Sequence, residues 1–241
     1  MKRNILLGTM SLLAGSLIAA DPSPKDDVTS AAKKLADQSS YSWKTTVTVP
    51  EGGGGRFRPG PSEGKTEKDG FTWFSMTMRD NTTEFVMKGD KAAVKTPDNG
   101  WQSKAEATAG SDEPGPAMFL ARMLENFKTP AAQAEDHTAK VKEFKKDGDM
   151  FSGDLTEDGA KELLTFGRRR GGGEGPSVSD AKGSAKFWVK DGVLSKYEIN
   201  VQGKVTFGGN ERDVNRTTTV EIKDVGTTKV SVPEEAAKKL S

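Results

Sequence analysis

Two periods of hydrophobic and polar residues alternate along this chain. From Tyr41 to Val49 the repeat is two. Tyr41, Trp43, Thr45, Val47 and Val49 fall on one face and Ser42, Lys44, Thr46 and Thr48 on the other, which predicts a half-buried antiparallel strand. The same period returns in Phe74, Met76 and Met78, in Thr83, Phe85 and Met87, and over Lys91 to Thr96, with Gly89-Asp90 placed for a tight hairpin. A second turn, Pro97 to Gly100, leads into Trp101. The clearest alternation is Tyr197, Ile199, Val201, Val205 and Phe207 against Lys196, Glu198, Asn200, Gln202, Lys204 and Thr206, entered through an Asp191-Gly192 turn after Ala185, Phe187 and Val189. Another strand follows to Lys223, with Val220 and Ile222 on one face, and a short one over Lys229 to Val232 stops at Pro233.

Between these runs the period changes to that of a helix. Ala31, Ala32, Leu35 and Ala36 predict a helix over Val28 to Gln38. Leu120, Met123, Leu124 and Phe127 stand at i, i+3, i+4 and i+7 after Pro114-Gly115-Pro116. A weaker helix is expected over Ala131 to Ala139, and a short one over Ala160 to Phe166 capped from Thr156. Strands are expected at Val141 to Lys146 and Met150 to Leu155, and a terminal helical turn from Glu234 to Leu240. Two stretches, residues 50–64 (PEGGGGRFRPGPSEG) and 167–176 (GRRRGGGEGP), carry too much Gly and Pro to pack as elements and read as loops.

A long antiparallel meander with helices inserted in its middle suits an α+β fold: a single curved antiparallel sheet whose concave face is covered by helices. No linker divides residues 21–241, so one domain is expected. A β-sandwich is the rival, but it has no need of the amphipathic helix around Leu120.

The first twenty residues belong to a different kind of segment. Lys2 and Arg3 precede an apolar run from Ile5 to Ile18, and Ala19-Ala20 closes it ahead of Asp21-Pro22. This is the layout of a secretory signal peptide cleaved near Ala20. The run of roughly 14 residues falls short of the ~20 that span a bilayer, so the processed chain is expected to have no transmembrane segment and to be periplasmic or extracellular.

Composition then narrows the chemistry. With no cysteine, disulfides, Cys-ligated zinc, iron–sulfur clusters and thiol nucleophiles are excluded. His137 is the only histidine, so a multi-histidine metal site is excluded too; its AEDHTAK setting reads as surface. Basic and acidic residues number 36 and 35, and losing Lys2 and Arg3 takes the net charge from +1 to about −1, which speaks against nucleic-acid binding. Paired carboxylates such as Glu157-Asp158 suit caps and turns. Neither glycine-rich stretch is followed by the GKS or GKT of a P-loop, and no Gly-x-Ser-x-Gly elbow occurs. No enzyme, metal or cofactor is expected.

The order of features is similar to that of a known family. A helix, a long strand and a hairpin series ending near Trp101 precede AMFLARMLENF; KEFKKDGDMFSGDLT, AKFWVKDGVLSKYEINV and VEIKDVGTTKVSVPEE follow. Together they resemble the LolA-like superfamily of bacterial envelope proteins, in its LppX/LprG-like branch, most of all at Phe187 to Leu194 and at Val225-Gly226 before Val230 to Pro233. The resemblance implies a half-barrel whose cavity between sheet and helices receives lipid or acyl chains. The chain departs from it in lacking the lipoprotein cysteine and in carrying the two glycine-rich insertions.

The residues that would line such a cavity are Phe74, Met76, Met78, Phe85, Met87, Leu120, Met123, Leu124 and Phe127. Methionine is unbranched and polarizable, and suits a surface that meets chains of varied shape. The same residues also suit plain sheet-on-helix packing, and the pattern does not choose. Arg168, Arg169 and Arg170 are candidate contacts to anionic headgroups, against a solvated loop as the plainer reading. Two functions follow: an exported, non-catalytic binder of a lipid or acyl chain, or an envelope protein-interaction or stress-sensing module with a protein partner and no lipid.

Overall fold

The computed structural model describes residues 23–50, 59–78, 81–113, 115–165 and 176–240. The proposed signal segment and its boundary near Ala20 lie outside them. Among the described residues, eleven strands form one antiparallel sheet in the order β6-β5-β4-β3-β2-β1-β11-β10-β9-β8-β7, open at both ends. The strands are β1 (Ser40–Thr48), β2 (Pro59–Glu67), β3 (Thr72–Met78), β4 (Asn81–Lys88), β5 (Lys91–Thr96), β6 (Asn99–Ser103), β7 (Lys145–Asp147), β8 (Met150–Asp154), β9 (Ser177–Lys190), β10 (Val193–Phe207) and β11 (Asn210–Lys223). The helices are α1 (Pro24–Ala36), α2 (Lys104–Ala107), α3 (Pro116–Glu125), α4 (Pro130–Ala139), α5 (Glu157–Thr165) and α6 (Glu234–Lys239). This is the expected α+β curved sheet with helices on its concave face.

The long β9–β10 hairpin turns at Asp191 and Gly192, which both take positive φ (53° and 75°), as a two-residue hairpin turn requires. The alternation read in the sequence then sets the faces. One row crosses the concave side through Val94, Phe85, Phe74, Gly64, Trp43 and Ile222. The next runs through Met76, Ser62, Thr45, Val220, Tyr197 and Phe187.

Helix α1 starts in a capping box, with Ser23 Oγ accepting from Asp26 N–H and Asp26 Oδ2 accepting from Ser23 N–H. Its buried stripe of Val28, Ala31, Ala32 and Leu35 packs on α4 and β10, while α5 lies on β9 and β10. Helix α6 differs. It sits on the convex side, where Ala236 and Leu240 pack with Val86, Ala93 and Trp101.

Three sequence expectations are corrected. The stretch 50–64 is loop only in part, because β2 begins at Pro59 and is held by ladders to β1 and β3 on both sides; residues 51–58 lie outside the described set. The strand expected at Val141 to Lys146 reduces to a single bridge, Val141 to Leu155, and the three residues of β7. Lys229 to Val232 joins no strand, since β1 is already paired to β2 and β11. The segment crosses the convex side instead, with Val230 N–H donating to Glu67 Oε1.

Candidate functional site

The apolar residues singled out from sequence converge on the concave side of β3 to β5, beneath α3. Phe74 and Phe85 are opposed across β3 and β4, their rings stacked at 4.4 Å. Phe127 stacks on the other side of Phe74 at 4.5 Å, although it stands just beyond the end of α3, which the Asn126 cap closes. Phe74, Phe85 and Leu124 are buried, and Met76, Met87, Leu120, Met123 and Phe127 are half-buried against them. Met78 is placed by its backbone alone, opposite Pro59 and Asn81. Arg168, Arg169 and Arg170 lie outside the described residues.

The two halves of the concave face are covered differently. Over β9 to β11, the side chains of α1 and α4 are closed off from water: Val28, Leu35, Ala131 and Ala134 are at most 1% exposed. Over β3 to β5 the cover is α3, PAMFLARMLE, an amphipathic helix with Arg122 and Glu125 on its exposed side. Only Leu124 of that helix is buried, and Phe119 points outward. An amphipathic helix normally turns its apolar face into a core, yet Phe119 on that face is exposed. Here the helix is a single half-exposed layer. Two hollows open on the convex side or its rim, one lined by Thr82, Glu84, Lys95 and the 96–100 turn, the other by Lys88, Asp90, Lys91 and Leu240; neither borders the Phe74 cluster.

Titratable groups in the interior lie on the closed half. His137, expected at the surface, is half-buried on α4, with its ring 5.9 Å from that of Tyr197. Its Nδ1 has no hydrogen-bond partner among the described residues, and burial, aided by Lys140, holds its pKa down at about 4. Tyr197, wholly buried, donates its hydroxyl to Gln133 Oε1 at 2.9 Å, and desolvation pushes its phenol far up. Arg216 reaches inward from β11 and donates from Nη2 to the Leu163 carbonyl at 2.7 Å, near the end of α5. Burial lowers its pKa to about 10, so it stays charged at neutral pH. The sequence reading missed this arginine. Its place opposite Val201, in register with the inward row of β10, was the signal available.

Among the described residues no three His, Asp or Glu side chains converge as metal ligands, and no helix is long and apolar enough to cross a membrane.

No protein-family model matches the chain, and no curated protein matches it. Two solved structures are similar in fold. LprF from Mycobacterium bovis is 11% identical with a TM-score of 0.46, the match covering 88% of this chain and 97% of that one. The lipoprotein LppX of Mycobacterium tuberculosis is 13% identical with a TM-score of 0.48, covering 89% and 100%.

Proposed function

We propose that this is an exported, non-catalytic envelope protein that binds a lipid or acyl chain between α3 and the β3–β5 part of the sheet. Residues 1–20 would serve as the export signal and residues 21–241 as one binding domain, with Arg168 to Arg170 available to anionic headgroups. The observation that carries the reading is the unequal cover of the concave face. Met76 and Met87 on the sheet and Leu120, Met123 and Phe127 on or just beyond α3 pack against the core yet stay partly exposed, so this part of the face is shielded only in part. A ligand chain entering there would displace α3 side chains and remove its own apolar area from water, at roughly 25 cal/mol per Å². The flexible methionines would adapt to its shape.

Native mass spectrometry of the protein purified from an expression host should show bound lipid, and a fluorescent fatty-acid probe should compete with it. Met123→Arg places a charge on the half-exposed surface and should abolish probe binding while the thermal midpoint is kept. A clean apo mass together with no probe binding would overturn the proposal.

A further inference from the structure

The sheet edge at β6 is where the chain passes from one face to the other, and the four residues of α2 make that passage. Ala107, at its end, belongs to the concave core with Phe74 and Val94, and α3 packs against the same short helix. Glu106, one residue earlier, is held from the convex side. Lys239 of α6 donates to both of its carboxylate oxygens at 2.9 Å. The same carboxylate accepts from Ser103 N–H at 2.7 Å, while Ser103 Oγ accepts from Glu106 N–H, closing a capping box at the start of α2. The Lys239 ammonium and this cap hold the Glu106 carboxyl at about 2, so it stays a carboxylate at any working pH.

Helix α6 is itself seated by apolar contacts, with Ala236 and Leu240 against Trp101, Val86 and Ala93, and Phe71, Trp73 and Val232 around them. Trp101 belongs to β6, two residues before Ser103, so the seat of α6 and the cap of α2 are on the same strand.

We infer that the C-terminal helix is a latch: seated on the convex face, it fixes α2 through Glu106 and thereby holds α3 down over the concave face. Release of α6 frees α2 from one side, and α3, which packs against α2, gains freedom to lift. The latch stands on the contacts of α6, α2 and α3. Only its consequence, control of ligand exchange, rests on the binding function proposed above.

Two variants test it, Lys239→Glu, which sets like charges against each other, and Leu240→Ser, which weakens the apolar seat. Hydrogen–deuterium exchange should speed up over residues 104–125 by about fivefold in each, while β9 and β10 keep their protection. Dissociation of a fatty-acid probe should accelerate in parallel. Faster exchange over 104–125 in a protein that binds no probe, wild type included, would uphold the latch and defeat the binding function. Unchanged exchange over 104–125 in both variants, or an equal rise across the whole sheet, would overturn the latch.

Discussion

The indole of Trp43 lies across Gly64 on the neighbouring strand, in the space where a side chain at residue 64 would begin. A Cβ there would stand 2.1 Å from Trp43 Cζ2 and 2.4 Å from Cε2. Since Trp43 is buried and its ring is rigid, it cannot move aside without disturbing the row that runs from Val94 to Ile222. Gly64→Ala should therefore destabilise the fold by ~1–3 kcal/mol in urea denaturation. In a Trp43→Leu background the same change should cost much less, and equal costs in both backgrounds would show that the indole is not the obstacle.

Phe74 is sandwiched between two rings and Phe127 is stacked against one. Phe74→Ala should cost ~3–5 kcal/mol, as expected for a large buried aromatic. Phe127→Ala, at the half-exposed end of the stack, should cost clearly less, and the double variant should show a coupling of roughly 0.5–1.5 kcal/mol. Equal single costs would place Phe127 in the closed core.

His137 makes stability depend on pH. The unfolded chain takes up its proton near 6.5, whereas the folded state resists protonation until about 4. The contribution is complete above 6.5 and is lost progressively as pH falls through 4, reaching about 3 kcal/mol. Lys140 and Lys128 disfavour the proton, and Asp136 and Glu162 favour it. Between pH 6.5 and 5, before most carboxylates titrate, wild type should lose stability in denaturant melts and His137→Phe should not.

The Tyr197 hydroxyl ties β10 to Gln133 of α4. Tyr197→Phe keeps the ring and deletes the bond, leaving Gln133, which is half-exposed, free to turn to water. A loss of about 1 kcal/mol is expected from denaturation curves. A loss beyond ~3 kcal/mol would mean that Gln133 Oε1 is trapped away from solvent.

Sequence pattern reached the strands that bury alternate side chains, because burial on one face imposes the period of two. Strand β10, with Tyr197, Ile199 and Val201 buried, is the clearest instance. It did not reach β2, whose PGPSEGKTE places Ser62, Gly64 and Thr66 inward. There the apolar material is supplied by Trp43 from the next strand, so β2 has no hydrophobic signature of its own. His137 was misplaced because its neighbours in sequence are charged. Its spacing of three from Ala134 and four from Val141, both buried, was the better guide. Eight of the nine apolar candidates, all but Met78, join one core on the concave side, but the difference between a sealed and a thinly covered half depends on which helix lands where.

The strand order has a consequence for how the chain finds this structure. Residues 40–103 form one run of neighbouring strands and residues 145–223 the other, each built from strands that follow closely in sequence. Among the described residues only the β1–β11 ladder joins them within the sheet, bringing Ser42 to Lys223 across 181 positions of chain. Closing so long a loop is paid for in entropy before any contact rewards it. The two meanders can gather early from local contacts, and the seam between them should be the slow step. Pulsed exchange labelling during refolding should find the amides of β9 and β10 protected before those linking β1 to β11. Until that seam closes, each half exposes an unpaired strand, β1 on one and β11 on the other, and the half-formed molecule is open to pairing with the wrong copy of itself.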